Sequence, residues 1–133
     1  MKLSDNQKRL AQMVLRIKAE ELSDEELNLG LGLLRGYECQ FDVNTGKVDV
    51  LQEGSWVLWH PMNNWEQFGE ILETNALVCA THENHDANGN SQGFWYSAHG
   101  YFGDVKCEGY NFRRVAGITA IKLLEHNIKY RDE

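Results

Sequence analysis

The sequence predicts an α+β fold in which a mainly antiparallel sheet packs between helices as an αβα sandwich, with an extra N-terminal helix. Apolar residues recur at helical spacing near both ends and in the middle of the 133-residue chain. The predicted strands come in hairpins, without the βαβ alternation that accompanies a parallel sheet. Hydrophobic residues make up 42% of the chain, which excludes a disordered composition and suits a single domain.

Two capping boxes predict two helices in the first third of the chain. In "SDNQ" (4–7) and "SDEE" (23–26) the serine hydroxyl can accept a backbone N–H, and the fourth side chain can reach back to the serine N–H. The spacing of apolar residues after the first box predicts a helix over 5–21. We therefore divide the chain into an amphipathic N-terminal helix, residues 1–22, and one sandwich domain, residues 23–133.

The second helix lies in "LNLGLGLLRG", where Gly36 suits the residue that follows a helix C-terminus. Gly30 and Gly32 weaken a helix by roughly 1 kcal/mol each relative to alanine. Glycines in such positions more often allow close helix packing than indicate a functional site. The alternating leucines leave a strand as the alternative for this segment.

The middle of the chain predicts a hairpin and a helix. "YECQFDVNTGKVDVLQ" is typical of a strand over 37–43, a turn and a strand over 47–52. Asn63 or Asn64 can cap a helix that begins with "WEQFGEIL", and Asn75 can end it.

The last third predicts a second hairpin and a closing helix. "ALVCAT" (76–81) forms one strand, "GFWYSAHGYF" (93–102) returns, and "DVKCEGYNF" is a further strand or extended segment. Asn111 should cap the closing helix. Its predicted core positions are Val115, Ile118, Ile121 and Leu124.

Charge and cysteine content narrow the class of protein. The net charge is −7, and residues 48–105 contain all four tryptophans but no Lys or Arg. Nucleic-acid binders neutralise phosphates with clustered Lys and Arg, so we expect no nucleic-acid partner. An acidic domain could meet a basic protein, although surplus acids also keep proteins soluble. No segment approaches the ~20 apolar residues that a membrane span needs, and the N-terminus lacks the apolar region of a signal peptide. Three unevenly spaced cysteines predict a cytoplasmic protein with reduced thiols.

Histidines concentrate in "THENHDANGNSQGFWYSAHGYF" (81–102). Together with Cys79, His82 and His85 form a C-x-x-H-x-x-H spacing, whose thiolate and imidazole donors suit zinc. The alternative is an ordinary turn rich in Asn, Asp and Gly beside a buried thiol. No catalytic motif accompanies these residues, so we expect no cofactor and favour a non-enzymatic role, with a zinc enzyme or metal-binding protein as the alternative.

Aromatic residues indicate a contact surface instead. The rings are too dense for one core to cover, and exposed Trp and Tyr commonly anchor protein partners. Two arginines at the start of the closing helix could hold an anion. The predicted ligand or partner contacts are Trp59, His60, Trp65, Trp95, His99, Arg113 and Arg114.

Four segments in order resemble small bacteriophage proteins of the NinX type, related to the phage ABA-sandwich domain. They are "LSDEELNLGLGLLRGYEC", "WHPMNNWEQFGEILE", "FWYSAHGYF" and "NFRRVAGITAIKLLE", and the resemblance extends from residue 22 to residue 125. The matching positions are Trp59, Pro61, Asn64 and Trp65 in the second segment and Phe112, Arg113, Arg114 and Ala116 in the last.

The resemblance implies a helix–sheet sandwich and a phage or prophage origin, but no transferable chemistry. We therefore expect a non-enzymatic accessory protein in the host cytoplasm that binds a host component, either a protein or a small nucleotide-like ligand. Such binding could counter the antiviral defence of the host. A homo-oligomer is the further alternative, in which the basic first helix of one copy packs on the acidic centre of another.

Overall fold

A computed structural model describes residues 2–75, 77–100 and 105–131 of the chain, without the side chains of residues 130 and 131. The predicted α+β class is confirmed, because helices flank two antiparallel three-stranded sheets. The helices are α1 (Asp5–Leu15), α2 (Asp24–Leu34), α3 (Trp65–Thr74) and α4 (Phe112–Arg131). Sheet 1 contains β1 (Cys39–Phe41), β2 (Val48–Gln52) and β3 (Ser55–Leu58). Sheet 2 contains β4 (Val78–His85), β5 (Ser91–His99) and β6 (Lys106–Gly109).

Both predicted capping boxes are present at the N-termini of α1 and α2. The first helix is shorter than expected, since it ends at Leu15 and is followed by a 3₁₀ turn over Ala19–Glu21. At the end of α2, Gly36 has φ 84° and its N–H donates to Leu33 O, while Tyr37 N–H donates to Gly32 O. This pair of hydrogen bonds closes the helix in the way the glycine predicted.

Helix α2 lies at the centre of the molecule. Every residue from 27 to 34 is buried, because α2 contacts α1, α4 and sheet 1. A Cβ atom on Gly30 would collide with the end of the Ile121 side chain in α4. A Cβ atom on Gly32 would lie 3.1 Å from Cys39 Sγ and 3.2 Å from Trp59 Nε1. The prediction that these glycines allow close packing is confirmed, and the strand alternative is wrong.

Sheet 1 contains a strand that the sequence did not predict. Gln52 and Ser55 are paired, so β2 and β3 are joined by the two residues Glu53 and Gly54. Both have positive φ, 50° and 82°, which is the conformation of a type I′ hairpin turn. The predicted strands therefore divide between two sheets, and the extra hairpin completes the first one.

Helix α4 connects the centre of the molecule to sheet 2. It packs against α2 on one side and against β5 and β6 on the other. Its four predicted core residues are buried, and Arg114 N–H donates to the side chain of Asn111, the expected cap. Asn64 caps α3 in the same way, by accepting from Gln67 N–H.

Much of the segment 82–92, which connects the predicted strands 76–81 and 93–102, is itself strand. Strand β4 continues to His85, and the turn occupies residues 86–90. Asp86 organises this turn, since one carboxylate oxygen accepts the N–H groups of Asn90 and Asn88 at 2.9 Å. The hydrogen bond from Asn90, and after it the one from Asn88, lowers the pKa of Asp86 below its ordinary value, because both stabilise the charged carboxylate. Residues 76, 101, 102 and 104 of the predicted strands lie outside the described residues.

No helix in the described ranges has the length and apolar character needed to cross a membrane.

Candidate functional site

Sheet 2 has two unlike faces because side chains alternate along each strand. Cys79, Ala98 and Cys107 are cross-strand neighbours on the face that packs against α4. The opposite face, which we call the open face, consists of three cross-strand rows. These rows are His82 with Trp95, Ala80 with Ser97 and Glu108, and Val78 with His99 and Lys106.

Exposure distinguishes the open face from the face against α4. Val78 is 50% exposed and Tyr110, one residue beyond β6, is 81% exposed. Ala80, His99 and Glu108 are also exposed, and no helix in the described part of the chain packs over them. The predicted contacts Trp95 and His99 both lie on this accessible surface.

The imidazole of His82 stacks on the indole of Trp95. The ring centroids are 3.9 Å apart and the planes differ by 14°. His82 Nε2 and Ser97 Oγ are hydrogen-bonded at 2.9 Å. Because His82 and Trp95 are directly paired across β4 and β5, the register places the rings together, and the serine bond fixes the imidazole.

A cleft of about 410 Å³ lies beside this ring pair. It is lined by Asn84, Trp95, Glu108, Gly109 and Tyr110. The cleft therefore combines two aromatic side chains with a carboxylate and an amide. His82 covers one face of the Trp95 indole, so the ring surface that lines the cleft is what remains accessible.

Trp65, Arg113 and Arg114 form a separate group at the start of α4. Trp65 is 58% exposed, and the Arg113 guanidinium carbon lies 3.8 Å from the centre of its ring. Arg113 Nη1 donates to Met62 O at 2.6 Å, and Arg114 Nη1 pairs with Asp24 at 2.9 Å. Both guanidiniums are thus bound to other groups of the protein, which weakens the prediction that they bind an anion.

The prediction that Trp59 contacts a ligand or partner is wrong. Its side chain is only 1% exposed, its indole N–H donates to Asn28 O at 2.9 Å, and Tyr37 packs edge-on against it. A partner cannot reach this ring in the folded protein. His60, in the loop before α3, is partly buried, and its backbone N–H donates to Gln67 Oε1. These two predicted contacts are therefore not brought to the open face.

The predicted zinc ligands do not converge. Cys79 lies on the α4 side of β4 and His82 on the open face, while His85 lies beyond a register shift and pairs with Glu83 at 3.2 Å. Burial raises the pKa of the Cys79 thiol, which disfavours the thiolate that a metal needs. Among the described residues, no group of three or more His, Cys, Asp or Glu side chains is arranged to hold a metal ion.

Ser97 is the site residue that sequence reasoning missed. It lies two residues after Trp95 and therefore on the same face of β5, but its contact with His82 depends on the pairing of β4 with β5. An imidazole could take the proton of a serine hydroxyl, as in nucleophilic catalysis. Within the described residues, however, no carboxylate is hydrogen-bonded to His82 Nδ1 to orient it, so the geometry suits recognition better than acyl transfer.

No family model matches this chain, and no curated protein matches its sequence. The resemblance to NinX-type phage proteins therefore stays a prediction.

Proposed function

We propose that this protein is a non-enzymatic phage or prophage accessory protein that binds a host protein through the open face of sheet 2. The observation that carries the proposal is the half-buried stack of His82 on Trp95 beside the exposed ring of Tyr110. Trp and Tyr are enriched among the residues that dominate protein interfaces, and a preformed ring pair loses little freedom on binding. The phage origin rests on the sequence resemblance alone.

A protein partner suits this face better than a nucleotide-like ligand does. Phosphate groups are held by Arg, Lys or free backbone N–H groups. The two arginines predicted for that purpose are bound to Met62 and Asp24, at the start of α4. On the open face, Lys106 is the one Lys or Arg among the described residues, and Glu108 lies beside it.

The experiment is a capture from a bacterial lysate with three tagged proteins: wild type, Trp95→Ala and Trp56→Ala. Trp56 is the matched control because it is an exposed tryptophan, 46% accessible, on sheet 1. We expect one host protein to be recovered in stoichiometric amounts with wild type and Trp56→Ala and lost with Trp95→Ala. Recovery that does not depend on Trp95, with all three proteins folded by circular dichroism, would overturn the proposal.

A further inference from the structure

We infer that the cleft beside Trp95 receives a cationic side chain, Lys or Arg, from the partner. This inference rests on the proposed function and specifies the chemistry of the same site.

The aromatic rings of the cleft suit a cation. A tryptophan face attracts a cation through its quadrupole more strongly than Tyr or Phe does. His82 occupies one face of the Trp95 indole, which leaves the side toward the cleft. Tyr110 lines the same cleft and is 81% exposed, so an extended side chain can lie between two aromatic surfaces.

Glu108 provides a negative charge in the same cleft. It lines the cleft and stands directly across from Ser97 in the register of β5 and β6. No ion pair joins Glu108 to a cation among the described residues. Its carboxylate can therefore accept from an incoming ammonium or guanidinium, and the amide oxygen of Asn84 is a second acceptor in the same cleft.

The charge around the cleft favours the same ligand. The described strands and connecting turn of sheet 2, residues 78–99 and 106–109, carry three acidic side chains, Glu83, Asp86 and Glu108, against one Lys and no Arg. Lys106, the cation of the open face, belongs to the row of His99, two rows from Trp95. An incoming Lys or Arg thus approaches a negative region, and long-range attraction raises its association rate.

Other ligands fit less well. A phosphate or carboxylate would meet the Glu108 carboxylate without a cation in the cleft to balance it. A purely apolar segment would cover that carboxylate and leave it unpaired, which costs free energy. A cation satisfies both the rings and the carboxylate.

The test is an NMR titration of the full chain with two small probes. One is Nα-acetyl-lysine methylamide, and the matched neutral probe is the same molecule acetylated at Nζ. We expect saturable shifts of the Trp95 indole N–H, assigned from the spectrum of Trp95→Phe, and of the Gly109 amide with the cationic probe alone. Equal shifts with both probes, or no shift at Trp95 with the cationic probe, would overturn the inference.

Two variants separate the carboxylate from general surface charge. We expect Glu108→Gln to weaken binding of the cationic probe about two- to fivefold, as for an exposed ion pair. Glu125→Gln removes an exposed charge of α4 outside the cleft and should leave the affinity unchanged. Equal effects of the two variants would show a diffuse charge effect and contradict a cation site.

Capture from lysate with Glu108→Gln distinguishes this inference from the proposed function. If the partner is lost with Trp95→Ala but retained in full with Glu108→Gln, the open face binds its partner and the cation site is wrong. If the partner is retained with both variants, the proposed function itself fails.

Discussion

The two sheets of this protein have the same number of strands and the same antiparallel order, yet they relate to the rest of the molecule in opposite ways. In sheet 1 the inward side chains of Cys39, Val48 and Val50 are at most 1% exposed, because they pack on α2. Among the described strand residues of sheet 2, Ala98 alone is fully buried. Sheet 1 therefore contributes mainly to stability, whereas sheet 2 contributes mainly accessible surface.

The sheet edges differ in the same direction. At the two edges of sheet 1, Asn6 Nδ2 donates to Cys39 O at 3.0 Å and Gln67 Nε2 donates to Leu58 O at 2.9 Å. In sheet 2, β4 is an edge strand, and no strand in the described ranges pairs with its outer side. Capped edges resist further pairing, while an open edge beside an exposed face leaves room for a partner.

The largest contrast is expected between two tryptophans. Trp59→Ala should lower the free energy of unfolding by about 3–5 kcal/mol, because it empties a buried site and removes the donor to Asn28 O. Trp95→Ala should lower it by about 1 kcal/mol, since the substitution chiefly removes the stacking of the indole on His82. Urea unfolding followed by circular dichroism measures both, and equal decreases would contradict the division between the sheets.

A smaller effect is expected where α2 touches sheet 1. Gly32→Ala should cost about 1–2 kcal/mol net, because crowding of Cys39 and Trp59 outweighs the gain in helix propensity. Gly69→Ala in α3 is the control, since its Cβ would have no described atom within 4 Å. The control should gain up to about 1 kcal/mol, and a gain in both variants would show that the contact with sheet 1 yields easily.

The buried thiol of Cys39 in sheet 1 should make the stability of the protein depend on pH. Burial raises the pKa of the Cys39 thiol from 9.0 to about 12, so in alkaline solution the unfolded state ionises while the folded state stays protonated. The stability that this provides is present below pH 9 and is lost as pH rises toward 12. Between pH 8 and pH 10 we expect a decrease of about 1 kcal/mol that Cys39→Ala does not show. Identical pH dependence in urea unfolding of the two proteins would contradict it.

Local signals predicted much of this fold. The capping boxes at Ser4 and Ser23 and the cap at Asn111 need only residues within one helical turn, and all three are formed. Strand β3 was missed because Glu53-Gly54 is a weaker turn signal than Asn-Gly. The strand part of the histidine segment was missed because period-2 alternation disappears where both faces of a hairpin are exposed.

The site was predicted only where one strand sufficed. Trp95 and His99 were both predicted as contacts, and both lie on the open face because side chains alternate along β5. The side chains of Trp59, Arg113 and Arg114 are held by acceptors far away in the sequence. Donor and acceptor are 31 positions apart for Trp59, 51 for Arg113 and 90 for the pair of Arg114 with Asp24. Spacing within one segment carries no information about contacts of that range.

The smallest expected effect concerns the capped edge. Asn6→Ala should lower the free energy of unfolding by about 0.5–1 kcal/mol, because it removes the donor to Cys39 O and to Glu38. Gln92→Ala is the matched control on sheet 2, where the side chain is exposed and its amide contacts Asp86 and Ser91 at 3.3–3.4 Å. We expect its effect to be near zero. If Gln92 proved as important as Asn6, the hairpin of sheet 2 would be part of the stabilising structure, and the assignment of stability to sheet 1 would be wrong.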